Sequence, residues 1–226
     1  MATATEPETA IRVGNSAEQR IVLSGVSWET YQKLSEEIGD RRGLKSYNRG
    51  VLELTSPGLN HEDYKKRLDE LIKILAEELG LPFKWMGSTK WDDPASERGL
   101  EADECYLLTA EKVARVVRNR PKKAEECPRP DLAVEVDISR PAVDRSAIYA
   151  TLGIAEVWRF DGKLLQIDQL RADGGYEPAK VSRFLPIPPE EVVRWVVLEE
   201  EEDDVAWARR LRAWVKATLA PRPNLT

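Results

Sequence analysis

Cysteine is scarce in this chain. Only Cys105 and Cys127 occur in 226 residues, and their spacing suits neither a metal knuckle nor a disulfide framework. A reduced, cytoplasmic protein is the expectation. No apolar stretch approaches the ~20 residues that a membrane helix needs, and no basic start leads into an apolar run as a secretory signal would. Excess positive charge is also lacking: the net charge is -6. A protein that coats nucleic acid would be basic. An enzyme with a local basic patch remains open, because the field near a cleft is set by nearby charges. No linker-like run divides the chain and no segment repeats. A single domain over 11–219 is therefore expected, with loose ends at 1–10 and 220–226.

What is present is ample apolar material, 42% of residues, under a heavily charged surface, 33%. Ser27 to Gly39 reads as a capped helix with apolar residues at Tyr31, Leu34 and Ile38. Asn48-Arg49-Gly50 between short alternating runs reads as a hairpin ending on the strand Val51–Leu54. The strongest helix runs from about His61 to Leu79, with Tyr64, Leu68, Leu71, Ile72, Leu75 and Leu79 on one face and Gly80 at the C′ position. Three strands are expected at Phe83–Met86, Glu101–Leu108 and Leu132–Ile138. A short helix over 143–152 closes on Gly153. The hairpin Glu156–Phe160/Leu164–Leu170 turns at Asp161-Gly162. Pro188–Val196 and Asp203–Leu219 look helical, and the six acids Glu199–Asp204 read as a solvated turn. The order of elements predicts an α/β (α+β) fold: a mixed central sheet flanked by helices, with an N-terminal helix-hairpin and C-terminal helices.

The chemistry sits in the carboxylates. Glu135 lies between Val134 and Val136 in the strand that looks most buried, and an acid there is costly unless paired. Asp137, two residues on, shares its face. Asp103 falls in a second strand and Glu53, between Leu52 and Leu54, in a third. Each acid taken alone fits the solvent face of a half-buried strand. Together they would repel one another unless a cation sits among them. Mg²⁺ or Mn²⁺ suits oxygen ligands from one or two carboxylates, with waters and substrate phosphate completing the shell.

The segments NRGVLELTSPGLNHEDYKKRLDELI, MGSTKW, RGLEADECYLL, RPDLAVEVDIS and DRSAIYATLGIAEVWRFDG, in that order, resemble the Uma-type family of restriction endonucleases within the PD-(D/E)xK nuclease superfamily. The resemblance implies a restriction-endonuclease-like core and metal-dependent cleavage of nucleic acid, with DNA the expected form. It maps the first superfamily acid onto Asp103, where Glu101-Ala102-Asp103 stands in place of Glu-Pro-Asp, and the second onto Glu135. The superfamily lysine would fall on position 137, which is Asp137. Many members instead carry a basic residue four positions before a tyrosine, here Arg145 before Tyr149. Lys90, in MGSTKW, is the other candidate for the missing amine. Arginine stays charged and is the poorer proton-transfer group, but it suits a phosphate oxygen. Glu53 and His61 match recurrent positions near the site.

Expected roles follow. Asp103, Glu135 and Asp137 are the metal ligands, Asp137 or Glu53 completing the shell or orienting a water, and Arg145 or Lys90 the cation at the phosphate. His61, the single histidine, reads foremost as a polar residue at a helix start. The basic run Lys112–Lys123 could track a phosphate backbone or be a solvated face. Cys105 reads as a buried structural thiol. Trp207, Leu211, Trp214 and Val215 form a stripe too apolar for water, covering either the chain's own sheet or a partner's, and a homodimer is the expected assembly. A catalytically inactive nuclease-fold binding or regulatory protein is the alternative function. A metal-dependent hydrolase acting on something other than DNA is a third.

Overall fold

The protein is described by a computed structural model at residues 9–13, 18–39, 43–197 and 203–219. Strands β1 (Thr9–Val13) and β2 (Gln19–Ser24) precede helix α1 (Trp28–Ile38). Ser27 caps α1, its hydroxyl accepting from the Thr30 N–H at 3.1 Å. The hairpin of β3 (Leu44–Asn48) and β4 (Val51–Ser56) turns at Arg49-Gly50, both at positive φ. Helix α2 (Leu59–Leu79) begins two residues before the expected His61, and Gly80 ends it in the left-handed conformation. Short strands β5 (Lys84–Trp85), β6 (Lys90–Asp93), β7 (Arg98–Glu101) and β8 (Glu104–Leu107) follow, then helix α3 (Ala110–Asn119), strand β9 (Leu132–Val136) and helix α4 (Arg145–Leu152). The chain ends with β10 (Glu156–Phe160), β11 (Leu165–Leu170), β12 (Tyr176–Ala179), α5 (Pro189–Val196) and α6 (Asp204–Thr218).

The strands form two six-stranded sheets. One, in the order β1-β2-β4-β3-β7-β6, is antiparallel throughout. The other, β12-β11-β10-β9-β8-β5, is mixed, with β9 and β10 parallel and α4 as the crossover between them. The expected α/β fold is therefore present, its mixed sheet flanked by helices and joined by a second, antiparallel sheet.

One expected strand is two. Glu101–Leu108 is interrupted at Ala102-Asp103 because β7 pairs in the antiparallel sheet and β8 in the mixed one. Asp103 thus lies at the point where the chain leaves one sheet for the other, and not within a strand.

The mixed sheet is covered on both faces. On one, Leu132, Val134, Val136, Trp158, Phe160 and Ile167 pack against α2, α5 and α6. On the other, Ala133, Val157 and Cys105 pack with Ile148, Tyr149 and Leu152 of α4 and with Trp91 and Leu100 of the antiparallel sheet. Double coverage explains why every residue of β9 is buried. Cys105 is a buried structural thiol, as expected.

The apolar stripe of α6 belongs to this core. Trp207, Leu211 and Val215 are buried in the same cluster as Leu68, Leu71 and Leu75 of α2, with Trp214 packed beside them. The stripe covers the chain's own α2 and is not available as a dimer face. Burial is worth roughly 2–3 kcal/mol per large side chain. Of the loose ends expected at 1–10 and 220–226, only Thr9 and Ala10 are described, in β1, and the rest lie outside the described residues. Of the acidic run, Asp203 caps α6 and Asp204 starts it, while 199–202 lie outside the described residues. No helix of the described residues is long and apolar enough to cross a membrane.

Candidate active site

Period two along β9 decides which way its acid points. Leu132, Val134 and Val136 face α2, so Ala133 and Glu135 face α4. Glu135 is fully buried there. Helix α4 answers it with two side chains one turn apart: Arg145, its first residue, and Tyr149. Arg145 Nη1 donates to Glu135 Oε2 at 2.7 Å, and the Tyr149 hydroxyl donates to Glu135 Oε1. Both oxygens of Glu135 are therefore engaged. Asp144, the N-cap, holds the start of α4 by accepting from the Ala147 N–H.

Asp137, just past the end of β9, also reaches Arg145 Nη1, at 3.1 Å. Glu53, from β4 of the other sheet, receives Arg145 Nη2 at 3.1 Å and Arg20 Nη1 at 2.7 Å on one oxygen. Its second oxygen accepts from the backbone N–H groups of Ala142 and Val143 at 2.5 and 3.3 Å. Both oxygens of Glu53 are thus saturated. In this arrangement it is a strut that ties β2, β4 and α4 together, with no oxygen open to a metal shell or a water.

Asp103 reaches the same place from the sheet crossover. Its Oδ2 accepts from the Val136 N–H, next to Glu135, at 2.7 Å. Its Oδ1 is buried without a hydrogen-bond partner. Across from it stands His61, Nε2 lying 3.2 Å away without the alignment of a hydrogen bond. His61 is 3% exposed and inside α2. Gly58 is the N-cap of that helix and has no capping side chain. The reading of His61 as a polar residue serving the helix start is therefore corrected: its ring faces Asp103.

Burial and repulsion shape the charges. Burial first, and then the neighbouring charges of Asp103 and Asp137 against the relief from Arg145, push Glu135 up to about 8. Asp137 is raised mainly by burial as well. Burial alone would lower Arg145, but Glu135, Asp137 and Glu53 outweigh it and hold it fully charged. His61 is raised, its approach to Asp103 outweighing burial.

A family model described as "putative restriction endonuclease" (Uma2) matches residues 28–200. The chain belongs to the Uma2 family. A search of curated proteins found no match. The matched span of this Uma2 chain contains Glu53, His61, Asp103, Glu135, Asp137 and Arg145, all in one cluster. It does not contain β2, which adds Arg20, or Glu18 just before that strand. Arg20 Nε bonds Glu18 at 2.7 Å and Ser139 at 2.8 Å, and Nη2 lies 3.7 Å from Asp137. Sequence reasoning missed Arg20, Glu18 and the hydroxyl of Tyr149. A single arginine at the start of the strand Gln19–Ser24, beside polar Gln19, looks like any solvent-facing strand residue, and only the pairing of β2 with β4 turns it inward.

Two candidates are placed elsewhere. Lys90, on β6, bonds Asp92 at 2.9 Å and Gln32 at 3.4 Å and lies over the Tyr31 ring. The structure thus puts Arg145, and not Lys90, on Glu135. The basic run falls on α3 and the loop after it. α3 follows the Leu107 end of β8, whereas Asp103 adjoins the Glu104 end, so the length of the strand separates them. Lys112 itself is spent on Asp131 at 2.6 Å.

Proposed function

We propose that this Uma2 protein is a divalent-metal-dependent nuclease acting on DNA, with Asp103 and Glu135 holding Mg²⁺ or Mn²⁺. One observation supports this most: the buried Asp103 Oδ1, which has no hydrogen bond and faces only the His61 ring at 3.2 Å, lies on a side chain bonded to the backbone beside Glu135. The donor set fits a hard cation. Glu18, Glu53, Asp103, Glu135 and Asp137 outnumber the two guanidinium groups among them, Arg20 and Arg145. Among the described residues no three acid, histidine or cysteine side chains form a ready cage. A Mg²⁺ site needs none, since one or two carboxylates suffice when waters and substrate phosphates complete the shell. When bound, such an ion supplies a water of lowered pKa and positive charge against the phosphate.

The chain's own residues supply the rest. Arg145, permanently charged, donates to a non-bridging phosphate oxygen and opposes the charge that develops there. Glu53 and Arg20 set the position of its guanidinium. Asp137, the most accessible acid of the group, orients the attacking water. His61 stands behind Asp103. Cutting both strands of a duplex is most simply done by a two-fold dimer, so we expect a mass of about twice 25.6 kDa by light scattering, through a face other than the α6 stripe. Free Cys105 and Cys127 suit a reducing, cytoplasmic setting.

A second reading has its own support. Both Glu135 oxygens are occupied by Arg145 and Tyr149, as they would be in a nuclease fold kept for binding alone. A plasmid-nicking assay decides between them. The nuclease reading expects Mg²⁺- or Mn²⁺-dependent nicking that EDTA, Asp103→Ala and Glu135→Ala each abolish. Nicking that survives all three would refute the metal site, and no nicking or RNA cleavage with either metal favours the binding protein.

A further inference from the structure

The cation that the acidic cluster needs is already there, as part of the chain. Arg145 is 5% exposed and donates to Glu135, Asp137 and Glu53 at 2.7, 3.1 and 3.1 Å. A planar guanidinium with several donors suits three carboxylates at once. Of the two acids proposed above as ligands, only Asp103 has an oxygen without a hydrogen bond. Glu135 Oε2 is held by Arg145 and Oε1 by Tyr149. A divalent cation that binds both acids must therefore crowd one of these two donors on its oxygen or displace it. Arg145 is the one the ion would repel.

Its other partners show where Arg145 stays. Nη2 remains bonded to Glu53, and Glu53 is anchored independently by Arg20 and by the Ala142 and Val143 amides. Losing the bond to Glu135 therefore frees one N–H of Nη1, while the bonds of Nη1 to Asp137 and of Nη2 to Glu53 keep the side chain in place. The freed N–H is the one that a phosphate oxygen could accept.

We propose that Arg145 is a built-in competitor for the metal: it sets the site's affinity for a divalent cation by holding Glu135, and ion binding hands its Nη1 from Glu135 to the substrate phosphate. This rests on the metal-dependent reading above and goes beyond it, since a simple phosphate clamp would leave metal affinity unchanged. Removing a competitor tightens binding, whereas removing a supporting residue weakens it.

The experiment is a Mn²⁺ titration of metal-stripped full-length protein, by calorimetry and by thermal melts, for the native chain, Arg145→Gln and Arg145→Lys. Arg145→Gln is expected to bind Mn²⁺ at least tenfold more tightly than the native chain. It is expected to melt lower without metal and to regain most of that loss at saturating Mn²⁺. Arg145→Lys, which keeps one charge but loses the fork, is expected to lie between. Equal or weaker Mn²⁺ binding by folded Arg145→Gln overturns the proposal, as does the absence of Mn²⁺ binding by all three proteins. If metal-free Arg145→Gln is unfolded, refolding on addition of Mn²⁺ supports the proposal. Failure of Mn²⁺ to refold it, with Arg145→Lys no tighter than native, overturns it. None of these readouts uses cleavage. A native chain that binds Mn²⁺ yet cuts neither DNA nor RNA sinks the nuclease reading alone.

Discussion

Asp103 accepts the Val136 backbone N–H at 2.7 Å, so the first acid of the site is fastened to the strand that carries the second. The bond spans 33 residues and closes the point where the chain passes between its two sheets. It gives Asp103 a structural duty as well as the proposed metal-binding one, and the two can be separated. Asparagine retains an acceptor for the Val136 N–H but loses the charge. Alanine leaves that buried N–H unsatisfied, at a cost of about 1–3 kcal/mol. Urea unfolding should therefore rank native ≈ Asp103→Asn above Asp103→Ala, while both variants lose cleavage. Equal stability of the two variants would mean that the bond is not made.

Glu135 should leave a signature in stability against pH. Its pKa is raised from an ordinary 4.5 to about 8 on folding. Between those values the folded chain binds more protons than the unfolded one. Stability is then greatest below about 4.5 as far as this group is concerned, and falls as pH rises through 8. Asp137, also raised, acts in the same sense. Metal-free melts from pH 5 to 9 should decline, and Glu135→Gln should flatten that decline. Unchanged slopes in the variant would show that Glu135 ionises normally in the fold. Saturating Mg²⁺ should oppose the decline in the native chain, because it favours the charged carboxylates.

Arg145 and Lys90 give opposite expectations. Lys90 is held by Asp92 and Gln32, so Lys90→Met should change kcat by less than about threefold. Arg145→Met removes the cation proposed to meet the phosphate, and effects of that kind run to about 10²–10³-fold in kcat. Kinetics of nicking on a supercoiled plasmid check both. A large loss with Lys90→Met and a small one with Arg145→Met would return the role to the lysine.

The α6 stripe predicts stability without assembly. Trp207 is buried against α2, so Trp207→Ala should cost about 3–5 kcal/mol in chemical unfolding. Light scattering should give the same oligomeric mass for the variant as for the native chain at concentrations where both are folded. A shift in mass would place the stripe at an interface.

Local chemistry determined much of this protein. Ser27 and Gly39 bound α1, Gly80 ends α2, Gly153 ends α4, and the apolar spacing of His61–Leu79 yields the face that α2 buries, because caps and periodicity act within a turn or two of the chain. The isolation of Glu135 among valines marked it as an acid needing a partner, since burial cost is a property of the residue and its neighbours in the strand. The partner itself was decided elsewhere. A pattern of period two cannot say which sheet a strand joins, so the switch from β7 to β8 at Asp103 and the pairing of β2 with β4 were invisible locally. The first placed Asp103 beside Val136, and the second brought Arg20 onto Glu53. Whether the acids share a metal or an arginine depends on which side chain reaches them first. That is a matter of distances between α4, β4 and β9, and only the tertiary structure could set them, with Arg145 in the middle.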